Sequence, residues 1–178
     1  ETIFTLSGNV NRALVLSRTN AVETPAGGLV GYLFGSVTSS KNKNLGNVER
    51  AAYDGTSPAV DNCFAGGLVG LMSLSSESKL PVYFDADVTI GDVKSLGRAG
   101  MLFGGVRSSS YADLKFPGCV VSGRLVSPKS GYDLDITAEN WPEREVYMDY
   151  AQQAGLKVLL MDGRLRSLSK SKNLIGED

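Results

Sequence analysis

Ala26-Gly27-Gly28-Leu29-Val30-Gly31 recurs letter for letter as Ala65-Gly66-Gly67-Leu68-Val69-Gly70, and more loosely as Ala99-Gly100-Met101-Leu102-Phe103-Gly104. Self-similarity over a few tens of residues is the mark of a repeat architecture. The copies begin at 26, 65 and 99, so the steps are 39 and 34 residues. Between them runs a second landmark of Gly-polar-Val type: Gly8-Asn9-Val10, Gly46-Asn47-Val48 and Gly91-Asp92-Val93, with Gly123-Arg124-Leu125 as a weaker fourth. The two landmarks alternate along the chain, so one structural unit contains both and its length varies in the loops.

Leu-Val between glycines reads as a very short strand, because several glycines in six residues weaken a helix. Glycine permits positive φ and close backbone approach, which suits a corner between strands. A strand so short cannot bury its own face and needs copies stacked above and below, the logic of a solenoid. Leu29, Leu68 and Leu102 are therefore expected to form one apolar column.

The Gly-Gly-Leu-Val-Gly phrase with its Gly-x-Val partner resembles the GLUG motif, a repeat of secreted and surface proteins of bacteria that also occurs beside secreted immunoglobulin A peptidases. The resemblance covers about residues 1–126 and departs from the pattern at Met101, which stands where the second glycine is expected. It implies a β-solenoid module outside the cell and no catalytic residue.

Composition agrees with a folded domain. The chain has 178 residues, 42% of them apolar and 21% charged. Its 21 glycines fall mainly in the landmarks, so they mark corners and not a flexible linker. A formal net charge of −1 removes any whole-chain electrostatic case for nucleic acid or an anionic membrane. Without histidine, Ser-His-Asp and Cys-His catalysis are excluded within this chain and ordinary zinc chemistry is disfavoured. Cys63 and Cys119 read as two buried thiols at inward positions. A disulfide between them is the alternative, permitted by an extracellular setting but not required by it. No run reaches the roughly 18 apolar residues of a membrane span. No signal peptide opens the chain, but Glu1 reads as a mature or trimmed start, so secretion stays open.

Residues 3–6 and 13–16 read as strands, and 17–25 as a loop. Another short strand begins at Gly35-Ser36-Val37, followed by a polar excursion over 38–45. Residues 53–62 and 107–118 read as further loops. Residues 82–90 alternate apolar and polar over one continuous strand, with Asp85 and Asp87 on its wet face. Calcium binding by Asp85, Asp87 and Asp92 is disfavoured, because the alternation already explains them and no EF-hand spacing is present. The repeat region is placed at 1–126. Residues 127–178 form a cap or the start of a neighbouring segment: a strand over 132–136, a helix starting at Asn140-Trp141-Pro142 and ending at Gly155, and a hairpin about Asp162-Gly163. The fold class is thus mostly β, a parallel β-helix or β-solenoid of short glycine-cornered rungs with a small helix-hairpin cap.

No P-loop, dinucleotide fingerprint or Gly-x-Ser-x-Gly elbow is present. The acid pairs Asp133 with Asp135 and Glu143 with Glu145 read as surface acids. Arg164, Arg166, Lys170 and Lys172 read as the wet face of a strand, and Trp141 as a packing residue. No catalytic, cofactor or metal residue is assigned. The function expected is a noncatalytic structural or adhesive module of a bacterial surface or secreted protein. It presents loops to a host protein or glycan, with no membrane insertion by this chain. The alternative is a carbohydrate-active β-helix, which requires a groove lined by convergent acids. The module reading expects no perturbed carboxylates.

Overall fold

The computed structural model describes residues 2–19, 24–52, 63–73, 82–107, 113–115, 119–128, 132–136 and 157–159. These residues are mostly β, and no helix occurs among them. The chain makes similar passes of short strands. The first holds β1 (Ile3–Ser7), β2 (Val10–Asn11), β3 (Val15–Arg18), β4 (Ala26–Gly27) and β5 (Val30–Phe34). The second holds β6 (Ser36–Ser40), β7 (Lys43–Asn44), β8 (Val48–Ala51), β9 (Phe64–Gly66) and β10 (Val69–Ser73). The third holds β11 (Val82–Asp85), β12 (Val88–Ile90), β13 (Val93–Ser95), β14 (Arg98–Gly100) and β15 (Val106–Arg107). Beyond these lie β16 (Asp113–Lys115), β17 (Val120–Ser127), β18 (Tyr132–Ile136) and β19 (Lys157–Leu159).

Through the three passes, each strand pairs in parallel with the strand five places later. The ladders run β1-β6-β11-β16-β19, β2-β7-β12-β17, β3-β8-β13-β17, β4-β9-β14 and β5-β10-β15. The long β17 serves two ladders and carries β18 antiparallel on its second half. Parallel neighbours cannot be joined by a tight hairpin. The chain meets this requirement by travelling through four other strands before it returns.

The repeated phrase sets the register. Ala26 pairs with Ala65 and Ala65 with Ala99, so all three copies lie side by side. The Leu29 N–H donates to the Leu68 carbonyl at 2.9 Å, and the Leu68 N–H to the Leu102 carbonyl at 2.8 Å. The expected leucine column is present. Leu68 and Leu102 are fully buried and Leu29 partly so, each buried leucine contributing roughly 1.5–3 kcal/mol. A second column of Val15, Val48, Val93 and Leu125 is set by β3, β8, β13 and β17. Phe84 and Phe103 stack inside with ring centroids 5.5 Å apart. Among the described residues, the exposed large apolar ones are Ile3, Phe4, Val10, Leu14, Leu16 and Phe34. All belong to the first pass, where β1 to β5 are each the outer strand of a ladder.

The glycines of the phrase do a different job from the one expected. Among the described residues, the glycines at positive φ are Gly8, Gly35, Gly91 and Gly123, none of them in the phrase. Phrase glycines are instead required by close approach. A Cβ on Gly28 would lie 2.0 Å from the Gly67 carbonyl oxygen, and one on Gly67 would lie 2.0 Å from that of Met101. In these two the obstructing oxygen belongs to the same position of the next pass. No fourth copy follows the third in the sequence, so a side chain is tolerated at Met101, which is fully buried.

The second landmark divides into two corners. Gly46, Gly91 and Gly123 occupy one, since Val48, Val93 and Leu125 are in register after them. Gly8-Asn9-Val10 does not belong with them. It aligns with Lys41-Asn42-Lys43 and Ala86-Asp87-Val88, while Ala13-Leu14-Val15 is the first-pass counterpart of Gly46-Asn47-Val48.

That other corner breaks the strand expected over 82–90. Ala86 has φ +52°, a left-handed conformation, so β11 ends at Asp85 and β12 begins at Val88. The kink reverses the alternation and turns Asp87 and Thr89 inward, both fully buried. The excursion expected over 38–45 is corrected likewise. It is built from β6, a left-handed Lys41 at φ +54° and β7, and Ser39, Asn42 and Asn44 are buried. The strand over 132–136 is found as expected. The helix expected from Asn140 to Gly155 lies outside the described residues, as does the Asp162-Gly163 turn.

Gly8, Lys41 and Ala86 share this left-handed conformation in register. A side chain there costs about 1–2 kcal/mol, against about 0.4–1 kcal/mol for the extra unfolded-state freedom of glycine. Lys41→Gly and Ala86→Gly are each expected to raise stability by about 0.5–1 kcal/mol, read as a higher urea midpoint at unchanged slope.

Candidate functional site: a buried polar corner

The left-handed residue at this corner is followed by Asn9, Asn42 and Asp87, of which Asn42 and Asp87 are fully buried and Asn9, on the outer pass, is exposed. With Cys119 they stand in one column, one per pass, fixed by the pairing of β2, β7, β12 and β17. The hydrogen bonds run along the column. The Asn9 backbone N–H and its Nδ2 both donate to Asn42 Oδ1 at 2.9 Å. The Asn42 N–H donates to Asp87 Oδ1 at 2.7 Å, and Asn42 Nδ2 approaches the same oxygen at 3.1 Å. Asn42 Nδ2 also reaches Ser39 Oγ at 2.8 Å and the Leu6 carbonyl at 3.0 Å. The Cys119 thiol donates to the Phe84 carbonyl at 3.3 Å.

Asp87 Oδ2 is fully buried and has no hydrogen-bond partner. Burial is the main reason the Asp87 carboxyl is pushed up to about 6, with the like charge of Asp85 adding to it. Hydrogen bonds from Ser39 and Asn42 pull the other way but do not win. Burial also pushes the Cys119 thiol well up, and Asp87 reinforces that shift. A perturbed carboxylate was not expected for a noncatalytic module, so that expectation is corrected. The group is nevertheless fully buried.

Further round, Asn11 Nδ2 donates to Asn44 Oδ1 at 2.8 Å, and the column continues with Thr89. In the next column inward, Arg50 is fully buried between Ser17 and Ser95 and donates from Nη1 to the Ala51 carbonyl. Outside, Asp92 carries the opposite shift from Asp87. Its hydrogen bond with Lys94, 2.8 Å away, holds its carboxyl below the usual range. Arg124 grips Asp133 with two bonds, at 2.8 and 3.0 Å, and lowers that carboxyl too. Asp92 and Asp133 are thus half of two surface ion pairs.

Comparison with protein-family models, curated proteins and solved structures returns no match for this chain.

Cys63 and Cys119 are both buried and are not joined by a disulfide. The apolar-polar alternation puts Asp85 and Asp87 together on a wet face, but only Asp85 keeps a partly exposed position. Glu143, Glu145, Trp141, Arg164, Arg166, Lys170 and Lys172 lie outside the described residues, as does most of the loop expected over 107–118. No group of three or more potential metal ligands occurs among the described residues, and no helix there is long and apolar enough to cross a membrane. Sequence reasoning missed Asn42, Asp87 and Arg50. A signal for the first two was available. Ser7-Gly8-Asn9, Ser40-Lys41-Asn42 and Asp85-Ala86-Asp87 share small or polar residues at each position, with an Asn or Asp at the third.

Proposed function

We propose that the chain is a β-solenoid and serves as a noncatalytic structural or adhesive module of a bacterial surface or secreted protein, as its likeness to the GLUG motif implies. The observation that supports this is the five-strand offset, with Ala26, Ala65 and Ala99 in one register. A stack of this kind holds its backbone by repeated ladders and leaves its connections to face a partner. Its partner is a host protein, a glycan or a neighbouring surface protein. The carbohydrate-active alternative gains nothing from Asp87, because a sealed carboxyl cannot flank a glycosidic bond.

The test is a glycan and host-protein array run beside a polysaccharide-degradation assay on the same preparation. Saturable binding without turnover is the expected result. Release of reducing ends or unsaturated products from any polymer overturns the noncatalytic reading.

A further inference from the structure

We propose that the corner formed by Asn9, Asn42, Asp87 and Cys119 is a proton-operated seam, which tightens the third pass against the second when the surroundings turn acidic. The geometry is that of a proton-binding site. Asp87 Oδ1 takes both bonds from Asn42, while Oδ2 is sealed and unpartnered. A proton on Oδ2 therefore removes the charge without breaking either bond. The protonated side chain then matches its neutral column-mates Asn9 and Asn42 in shape and charge. Once the proton leaves, a carboxylate sits in the interior, where its remaining hydrogen bonds do not fully offset desolvation.

Among the described residues, the other titratable and charged groups on the packed elements are few, and Arg124 on β17 is engaged with Asp133. Asp85 on β11 is a like charge that opposes ionisation. Cys119, in register with Asp87, is held neutral by burial. Lys41 and Lys43 flank Asn42 on the second pass, Lys41 exposed and Lys43 half-buried. Asp113 and Lys115 lie on β16, the strand that pairs with β11.

The sign follows from the direction of the shift. The folded value is about 6 against 3.8 for the unconstrained group. The stabilisation is fully present below 3.8 and is lost as pH rises through 6. Asp92 and Asp133, whose carboxyls are lowered, lose their contribution only in stronger acid. Among the described carboxyls with a shifted value, a window of pH 5–8 therefore selects Asp87, and across it the folding equilibrium constant is expected to fall about tenfold.

Urea unfolding of the full chain across this window, for the native protein and for Asp87→Asn, tests the proposal. The native constant should fall about tenfold. The amide variant should show no such slope and should exceed the native protein at pH 8. An Asp87→Asn protein that is weaker at pH 8, or that keeps the native slope, overturns the seam. The Asp87 carboxyl-carbon resonance of the native chain needs no substitution and decides the matter if the variant fails to fold. A midpoint near 6 supports the proposal, and one below about 5 defeats it.

Discussion

Gly66→Ala is expected to destabilise the protein by about 3–5 kcal/mol, near the upper end for a single substitution. The added Cβ would lie 1.8 Å from the Val69 carbonyl oxygen and 2.7 Å from the Gly104 nitrogen. Those two atoms are the partners of a hydrogen bond, at 3.0 Å, that joins the second pass to the third. The methyl group would thus stand on the bond itself, and both obstacles are backbone, so no rotamer change relieves them. Gly31 provides the contrast. It closes the first copy of the phrase, yet its Cβ would meet only the Pro25 carbonyl oxygen at 3.2 Å. Gly31→Ala is expected to change stability by less than about 1 kcal/mol, because the small clash is offset by reduced freedom of the unfolded chain. Guanidinium titrations of the two variants make the comparison. Equal losses would refute the assignment of these glycines to close approach. A domain of this size holds only about 5–15 kcal/mol in total, so one methyl group removes a substantial share of it.

Leu68→Ala is the second large effect, at about 3–5 kcal/mol. Leu68 is fully buried with Leu29 on one side and Leu102 on the other. Neither neighbour can fill the space, because each is held by its own backbone bond to the column. Leu29 has a neighbour on one side only and is partly exposed, so Leu29→Ala is expected to cost less, about 1–2 kcal/mol. Leu68→Met conserves volume and is expected to cost under about 1.5 kcal/mol. A Leu68→Ala loss larger than that of either Leu29→Ala or Leu68→Met, measured by urea unfolding at one pH, checks the column. A Leu29 variant as damaging as the Leu68 variant would contradict it.

What the sequence disclosed follows from what repeats in it. The phrase at 26, 65 and 99 is nearly identical in every copy, so its side-by-side placement and its leucine column could be read without coordinates. The polar corner was hidden because its key residue varies: Gly8, Lys41 and Ala86 have only a backbone conformation in common. Glycine advertises that conformation, while lysine and alanine conceal it. Hence residues 82–90 pass for one alternating strand, and Asp87 for a solvated acid, until the kink at Ala86 is known. The misplacement of Gly8-Asn9-Val10 has the same origin. Two different corners each accept glycine, and glycine-polar-valine does not distinguish a left-handed bend from the close approach at Gly46, where a Cβ would meet the Ala13 carbonyl oxygen at 2.1 Å. Arg50 gave no signal at all. An arginine in an alternating strand is normally assigned to water, and its burial depends on which face the register turns inward.

The unequal spacing of the phrase has a consequence of its own. The chain passes between the same two ladders from Ser17 to Ala26, from Arg50 to Ala65 and from Ser95 to Ala99. The endpoints are fixed by pairing, whereas the path between them ranges from a generous detour to a near-direct step. Such a joint works like an adjustable splice, and lengthening a closure costs little because its entropy grows only with the logarithm of its length. Diversity can therefore accumulate at one edge of the molecule while the paired strands stay untouched. The short step at Leu96-Gly97 is the least free of the three, because the Leu96 N–H donates to the Arg50 carbonyl and the Gly97 N–H to Ser95 Oγ.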